Sequence, residues 1–75
     1  MEQFSGYTFE INSHEVPGWG DDVDKWVKGY FYLIYDKSGL VVESNEYFDS
    51  VIRARMAAIG HITLLEKGEG HVKTN

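Results

Sequence analysis

The sequence contains no cysteine and a single proline among its 75 residues. Without cysteine, neither disulfides nor a thiolate zinc site can hold the fold together, and nothing indicates an oxidising compartment. A chain of this length builds only a small core, so self-association is the remaining way to bury more apolar surface. A homodimer is therefore one prediction from composition.

Positive charge and long apolar runs are also scarce. Seven lysines and arginines stand against twelve aspartates and glutamates, which gives a net charge of −5. Such a protein is not attracted to phosphate backbones or anionic lipid, so we expect no direct nucleic-acid or membrane binding. No apolar run reaches the ~20 residues of a membrane span, and residues 1–5 lack an export-signal pattern. These features predict a cytoplasmic location.

Aromatic residues, in contrast, are plentiful: two tryptophans, five tyrosines and four phenylalanines. With 43% hydrophobic residues, the composition is far from that of a disordered chain. We predict one compact domain over residues 1–66, followed by a flexible tail over residues 67–75.

Period-two patterns predict the strands. Apolar and polar residues alternate over residues 4–11, which predicts a half-buried strand. Residues 12–24 hold the proline, two glycines and three aspartates, and they predict a long loop. Aromatic and β-branched residues crowd 25–35, which predicts a strand that is apolar on both faces. A turn over 36–39 and a strand over 40–42 complete a hairpin.

A helix follows the hairpin. Asp49 or Ser50 can cap its start, and the helix is predicted to run to Ile59, with Gly60 as the left-handed residue that ends it. Residues 61–65 fit either a short last strand or a further helical turn. The predicted fold is α+β: an antiparallel sheet of three to four strands with one helix packed on one face, in the order β-β-β-α with an optional last strand.

Residues 29–60 resemble a known family. The segments that carry the resemblance are Tyr30-Phe31-Tyr32-Leu33, Asp36-Lys37-Ser38-Gly39, Val41-Val42-Glu43-Ser44, Tyr47-Phe48-Asp49-Ser50 and the later Ala54 and Ala58. They are similar to the YegP-like repeat, a small uncharacterised bacterial domain of strand, turn, strand and alanine-rich helix. This chain has Ser-Gly where the repeat has Asn-Gly, and one copy where members often carry two. The resemblance implies a three-stranded sheet with one packed helix and no known catalytic residue.

Two apolar stripes run along the predicted helix. The first consists of Val51, Ala54, Ala58 and Ile62, and its small residues, the alanines, allow close approach to a sheet. The second would then stay partly exposed, which predicts a homodimer or partner interface at Ile52, Met56 and Ile59. Arg55 lies between the stripes. Either its stem covers apolar surface with the guanidinium in water, or the guanidinium anchors a carboxylate of a partner.

A second candidate surface is aromatic. We predict a platform on the sheet face away from the helix, formed by Trp19, Trp26, Tyr30 and Tyr32. Such rings suit protein hot spots, and the two tryptophans could instead bind a small ligand. The alternative is that the long loop folds back and buries these rings as a second small core.

Acidic residues support a further alternative. Asp21, Asp22 and Asp24 crowd the predicted loop but lack the glycine and distal glutamate of a calcium loop, so a solvated loop is expected. Together with four glutamates they could form an acidic face that mimics nucleic acid, as in a phage or mobile-element inhibitor of a host enzyme: Glu10, Glu15, Glu43 and Glu46.

Catalytic and metal-binding patterns are not found in the sequence. His14, His61 and His71 have no metal-ligand spacing, so we expect surface or capping histidines and neither metal nor cofactor. No nucleophile elbow or phosphate-binding glycine loop is present, and no enzyme is predicted. The leading prediction is a small cytoplasmic protein-interaction module that binds a partner protein or itself.

Overall fold

The computed structural model describes residues 1–18, 24–44 and 46–68. In these residues, four strands form one antiparallel sheet in sequence order, and a helix follows them. The elements are β1 (Glu2–Phe4), β2 (Tyr7–Pro17), β3 (Trp26–Asp36), β4 (Gly39–Glu43) and α1 (Val51–Glu66). The predicted α+β fold is confirmed. Among the described residues, no helix combines the length and apolar character that crossing a bilayer requires.

A tight turn splits the first predicted strand. β1 and β2 pair antiparallel, and Phe4 lies opposite Tyr7. Between them, Ser5 has φ 52° and Gly6 has φ 84°. Positive φ at both central residues is the geometry of the two-residue hairpin turn that matches strand twist. One continuous strand over residues 4–11 was therefore a wrong prediction, and the Ser-Gly pair was the available signal.

β2 continues well into the predicted loop. Residues 12–17 pair with β3, with His14 opposite Gly29 and Pro17 opposite Trp26. The side chains of residues 12–15 are all exposed, so the apolar period disappears although the backbone hydrogen bonds persist. The loop prediction was wrong over 12–17 because it depended on side chains, whereas the pairing here is made by the backbone of an aromatic-rich neighbour.

The second hairpin is confirmed. Asp36 lies opposite Gly39, the Ser38 N–H donates to the Asp36 carboxylate Oδ1 at 2.7 Å, and Gly39 adopts φ 125°. After β4 the chain returns to the same edge of β3. There the backbones of Tyr30 and Phe48 exchange hydrogen bonds of 2.9 and 2.7 Å. This return places the residues before α1 beside the middle of β3.

The helix begins as predicted and ends later than predicted. Ser50 is the N-cap, and its hydroxyl accepts from the Arg53 N–H at 3.2 Å. The helix passes through Gly60 without a positive φ, so residues 61–65 extend α1 rather than form a strand. Gly68, with φ 80°, takes the left-handed conformation instead. The additional turns are favoured because they bury Ile62 and Leu65.

The core lies between α1 and one face of the sheet. Phe9 and Ile34 from the sheet are almost completely buried, together with four residues of the helix: Ala54, Ala58, Ile62 and Leu65. Two alanines along the contact allow the helix backbone to approach the sheet closely. The predicted packing of the Ala54/Ala58 stripe on the sheet is confirmed, although Val51 at its start is exposed.

Candidate interaction surfaces

The outer side of α1 carries a row of apolar residues that points to solvent. Residues four apart lie along one side of a helix, and this row consists of Ile52, Met56, Gly60 and Leu64, which we call the outer strip. The exposed fractions are 69% for Ile52, 66% for Met56 and 42% for Leu64. Most helices of globular proteins place polar residues on this side. The outer strip is therefore the clearest exposed apolar surface of the described residues.

Gly60 makes a notch in the outer strip. A Cβ atom built on this residue would meet nothing within 4 Å, and its φ lies outside the left-handed region. Glycine in a helix interior costs about 1 kcal/mol relative to alanine. Neither steric crowding nor backbone conformation among the described residues explains that cost. The notch leaves room for an atom from outside the chain between Met56 and Leu64.

Of the four interface residues predicted on the helix, two point to solvent and two contact other parts of the chain. Ile52 and Met56 are exposed, whereas Ile59 is half-buried and packs against the core. The Arg55 Nε donates to both carboxylate oxygens of Glu2, at 2.8 and 3.0 Å. The ion pair joins β1 to α1, so the Arg55 guanidinium already has a carboxylate partner within the chain.

The aromatic platform was wrongly placed. Tyr32 lies on the sheet face that packs against α1 and is buried there, because it shares that face with the core residue Ile34. Tyr30 is half-buried, and Trp26, beyond the core, is 70% exposed. Trp19 lies outside the described residues. β3 is apolar on both faces, so its composition does not indicate which face the helix covers.

Tyr32 forms a polar contact that the sequence reading missed. Its hydroxyl is hydrogen-bonded to the His61 Nδ1 at 2.8 Å, with the donor set by the histidine tautomer. Burial, and then the charge of Glu46, raises the pKa of Tyr32 above its ordinary value. His61 was expected to be a surface or capping residue; it is half-exposed, and its contact with Tyr32 was not predicted. Its position three residues after the buried Ala58 was the available signal.

The opposite sheet face carries a second cluster that sequence reasoning missed. Tyr47 crosses over Gly29, where a Cβ atom would lie only 3.0 Å from the Tyr47 Cβ and 3.0 Å from the Val16 Cγ2. The Tyr47 ring stacks on His14 with centroids 6.3 Å apart and meets the edge of Phe31 at 5.6 Å. The contact depends on the register of β2 against β3, which composition does not reveal.

The acidic residues spread over the described surface. Glu15, Glu43, Glu46 and Asp24 are exposed, and Glu10 is half-exposed. No group of three possible metal ligands occurs within residues 1–18, 24–44 and 46–68. Asp21, Asp22 and His71 lie outside those ranges, as does most of the predicted tail.

Comparison with known proteins gave no match to any family model, curated protein or solved structure. The resemblance to the YegP-like repeat therefore stays a prediction. The exposed surfaces are the basis for a functional proposal.

Proposed function

We propose that this protein is a small protein-interaction module that uses the outer strip as its contact surface. One observation carries the proposal: α1 is apolar on two sides, and the sheet covers one of them. Ile52 and Met56 stay more than half exposed on the other side. Exposed apolar clusters of this kind mark protein contacts.

The form of the outer strip favours a protein as the ligand. Four residues spaced over a dozen positions extend about 18 Å along the helix at 1.5 Å per residue. A convex row of this length suits a second helix or a groove on another protein, because side chains at i and i+4 positions can contact such a surface at the same time. Small molecules are usually held in concave pockets, so the outer strip supports a small-ligand role less well.

The acidic-mimic alternative differs in the force that holds the complex. A mimic in a basic groove binds through charges, and its complex weakens steeply as salt rises. The outer strip contains no charged residue, and its complex should survive ~1 M salt, where the Debye length is about 3 Å. The salt dependence of any complex therefore separates the two mechanisms.

Photo-cross-linking tests the proposal in the cells that carry the gene. A photoreactive amino acid is placed at Met56 and, in separate proteins, at the exposed Trp26 and at the exposed turn residue Lys37. We expect discrete protein adducts from position 56 and none from position 37. Adducts from position 26 alone would assign the contact to the aromatic residue, and the absence of adducts at all three positions would contradict an interaction module.

A further inference from the structure

We propose that a second copy of this chain occupies the outer strip, packed antiparallel across a two-fold axis at the level of Ala58. The inference rests on the proposed function, because it assigns a partner to the same surface. A two-fold contact uses one patch twice, so that patch must complement itself when its direction is reversed.

The order of side-chain sizes in the outer strip meets this requirement. Reversal about position 58 exchanges position 52 with 64 and position 56 with 60. Met56 of each copy then faces the notch at Gly60 of the other, and Ile52 faces Leu64. Helices whose i, i+4 rows are brought into line cross at about −50°, the commonest packing class in globular proteins. The otherwise unexplained glycine thus receives the bulkiest flexible side chain of the row.

The charges near the strip permit such a contact despite a net charge of −5. The two arginines that flank the outer strip are both paired within the chain. Arg53 lies 3.5 Å from the Asp49 carboxylate, and Arg55 lies 2.8 Å from the Glu2 carboxylate. The contact therefore brings no unpaired arginine to the outer strip, and antiparallel helices also align their dipoles favourably.

The chain also gains more from self-association than a larger protein would. It has no cysteine for a disulfide, and α1 covers only one face of the sheet. A domain of this length buries little apolar area by itself. Covering Ile52, Met56 and Leu64 would therefore add substantially to the buried apolar area. One helix pair buries less than the roughly 1,600 Å² of a standard interface. The dimer is expected to be weak and dependent on concentration.

Engineered cysteines test the direction of the pair, and the native chain contributes no competing thiol. Met56→Cys and Gly60→Cys proteins are mixed under mild oxidation. We expect the mixed disulfide, with little self-disulfide of Met56→Cys. Position 56 of one copy faces position 60 of the other, whereas two copies of position 56 are displaced by four residues, about 6 Å along the helix, so the mixed disulfide should form in preference to the self-disulfide of Met56→Cys. A parallel pair would cross-link each variant with itself and overturn the proposal.

A reciprocal exchange tests the register by sedimentation equilibrium. Gly60→Met fills the notch and should weaken the dimer by about tenfold or more, equivalent to about 1.4 kcal/mol. Met56→Gly/Gly60→Met restores one bulky residue opposite one notch and should recover the dimer constant to within about threefold, while circular dichroism checks that each variant folds. If Gly60→Met weakens the dimer and the double variant does not restore it, the proposed register is overturned.

A native chain that stays monomeric at millimolar concentration overturns the second copy as the occupant. Adducts to a different protein at position 56 would still support the proposed function in that case. Their absence as well would remove both proposals.

Discussion

The two apolar sides of α1 differ in side-chain size and in what covers them. On the inner side, Ala54 and Ala58 bring the helix backbone close to the sheet, and Ile62 is completely buried beyond them. On the outer side, Ile52 and Met56 project into solvent. A hydropathy scale would score both sides as apolar. The two alanines mark the side that the sheet covers, and Ile52 and Met56 mark a side that the described residues leave uncovered.

The largest expected effect comes from the same truncation on each side of the helix. Ile62→Ala removes a fully buried side chain and should lower the free energy of unfolding by about 2–5 kcal/mol, from lost burial and a cavity. Ile52→Ala is the matched control and should change it by less than about 0.5 kcal/mol. Urea denaturation at dilute concentration measures both. Equal losses would mean that the inner and outer sides are wrongly assigned.

A smaller effect is expected at the polar edge of the inner side. Tyr32→Phe removes the hydrogen bond to His61 and keeps the ring against Phe48. It should cost about 1 kcal/mol of unfolding free energy in the same urea experiment. No change would show that the hydrogen bond contributes nothing to holding the inner side in place.

The pH dependence of folding stability gives a second test of the Tyr32 hydroxyl. Burial first, then the charge of Glu46, raises the folded-state pKa of Tyr32, so the folded state keeps the phenol proton more tightly than the unfolded state. The associated stability is present below the unfolded pKa of about 10 and is lost as pH rises through the folded value. Stability of the native chain should fall more steeply above pH 10 than that of Tyr32→Phe. Parallel curves would contradict a buried phenol.

Gly60→Ala probes the outer side. At dilute concentration the added methyl meets open space, so the variant should gain up to about 1 kcal/mol from helix propensity. Thermal unfolding of the dilute protein measures this gain. A loss of stability instead would mean that something within the chain occupies the notch.

The smallest effect is expected at the ion pair that joins α1 to β1. Arg55→Met keeps a long apolar stem and removes the charge, and should cost less than about 1 kcal/mol because exposed ion pairs contribute little. The cost should shrink further in ~1 M salt. A large cost that does not depend on salt would show that packing of the stem, rather than charge, joins the two elements.

The fold class, the second hairpin, the N-cap at Ser50 and the inner stripe were predicted from local patterns. The first turn, the length of β2 and the end of α1 were not. In each case tertiary pairing decided the outcome: β3 extends β2, and burial of Ile62 carries the helix through Gly60. The Ile52/Met56 part of the candidate site was found from helix periodicity. The position of Tyr32 and the contact of Tyr47 with Gly29 depend on strand register and on the covered face, which periodicity leaves open.

Oxidation of the two methionines tests the central claim most directly, because Met1 is 78% exposed and Met56 is 66% exposed in the same molecule. Peroxide converts exposed methionine to its sulfoxide, and mass spectrometry gives the two rates. We expect similar rates in dilute purified protein. In the cells that carry the gene, Met56 should be protected several-fold relative to Met1. Equal oxidation of both methionines in those cells would show that the outer strip is uncovered and would contradict its role as a contact surface.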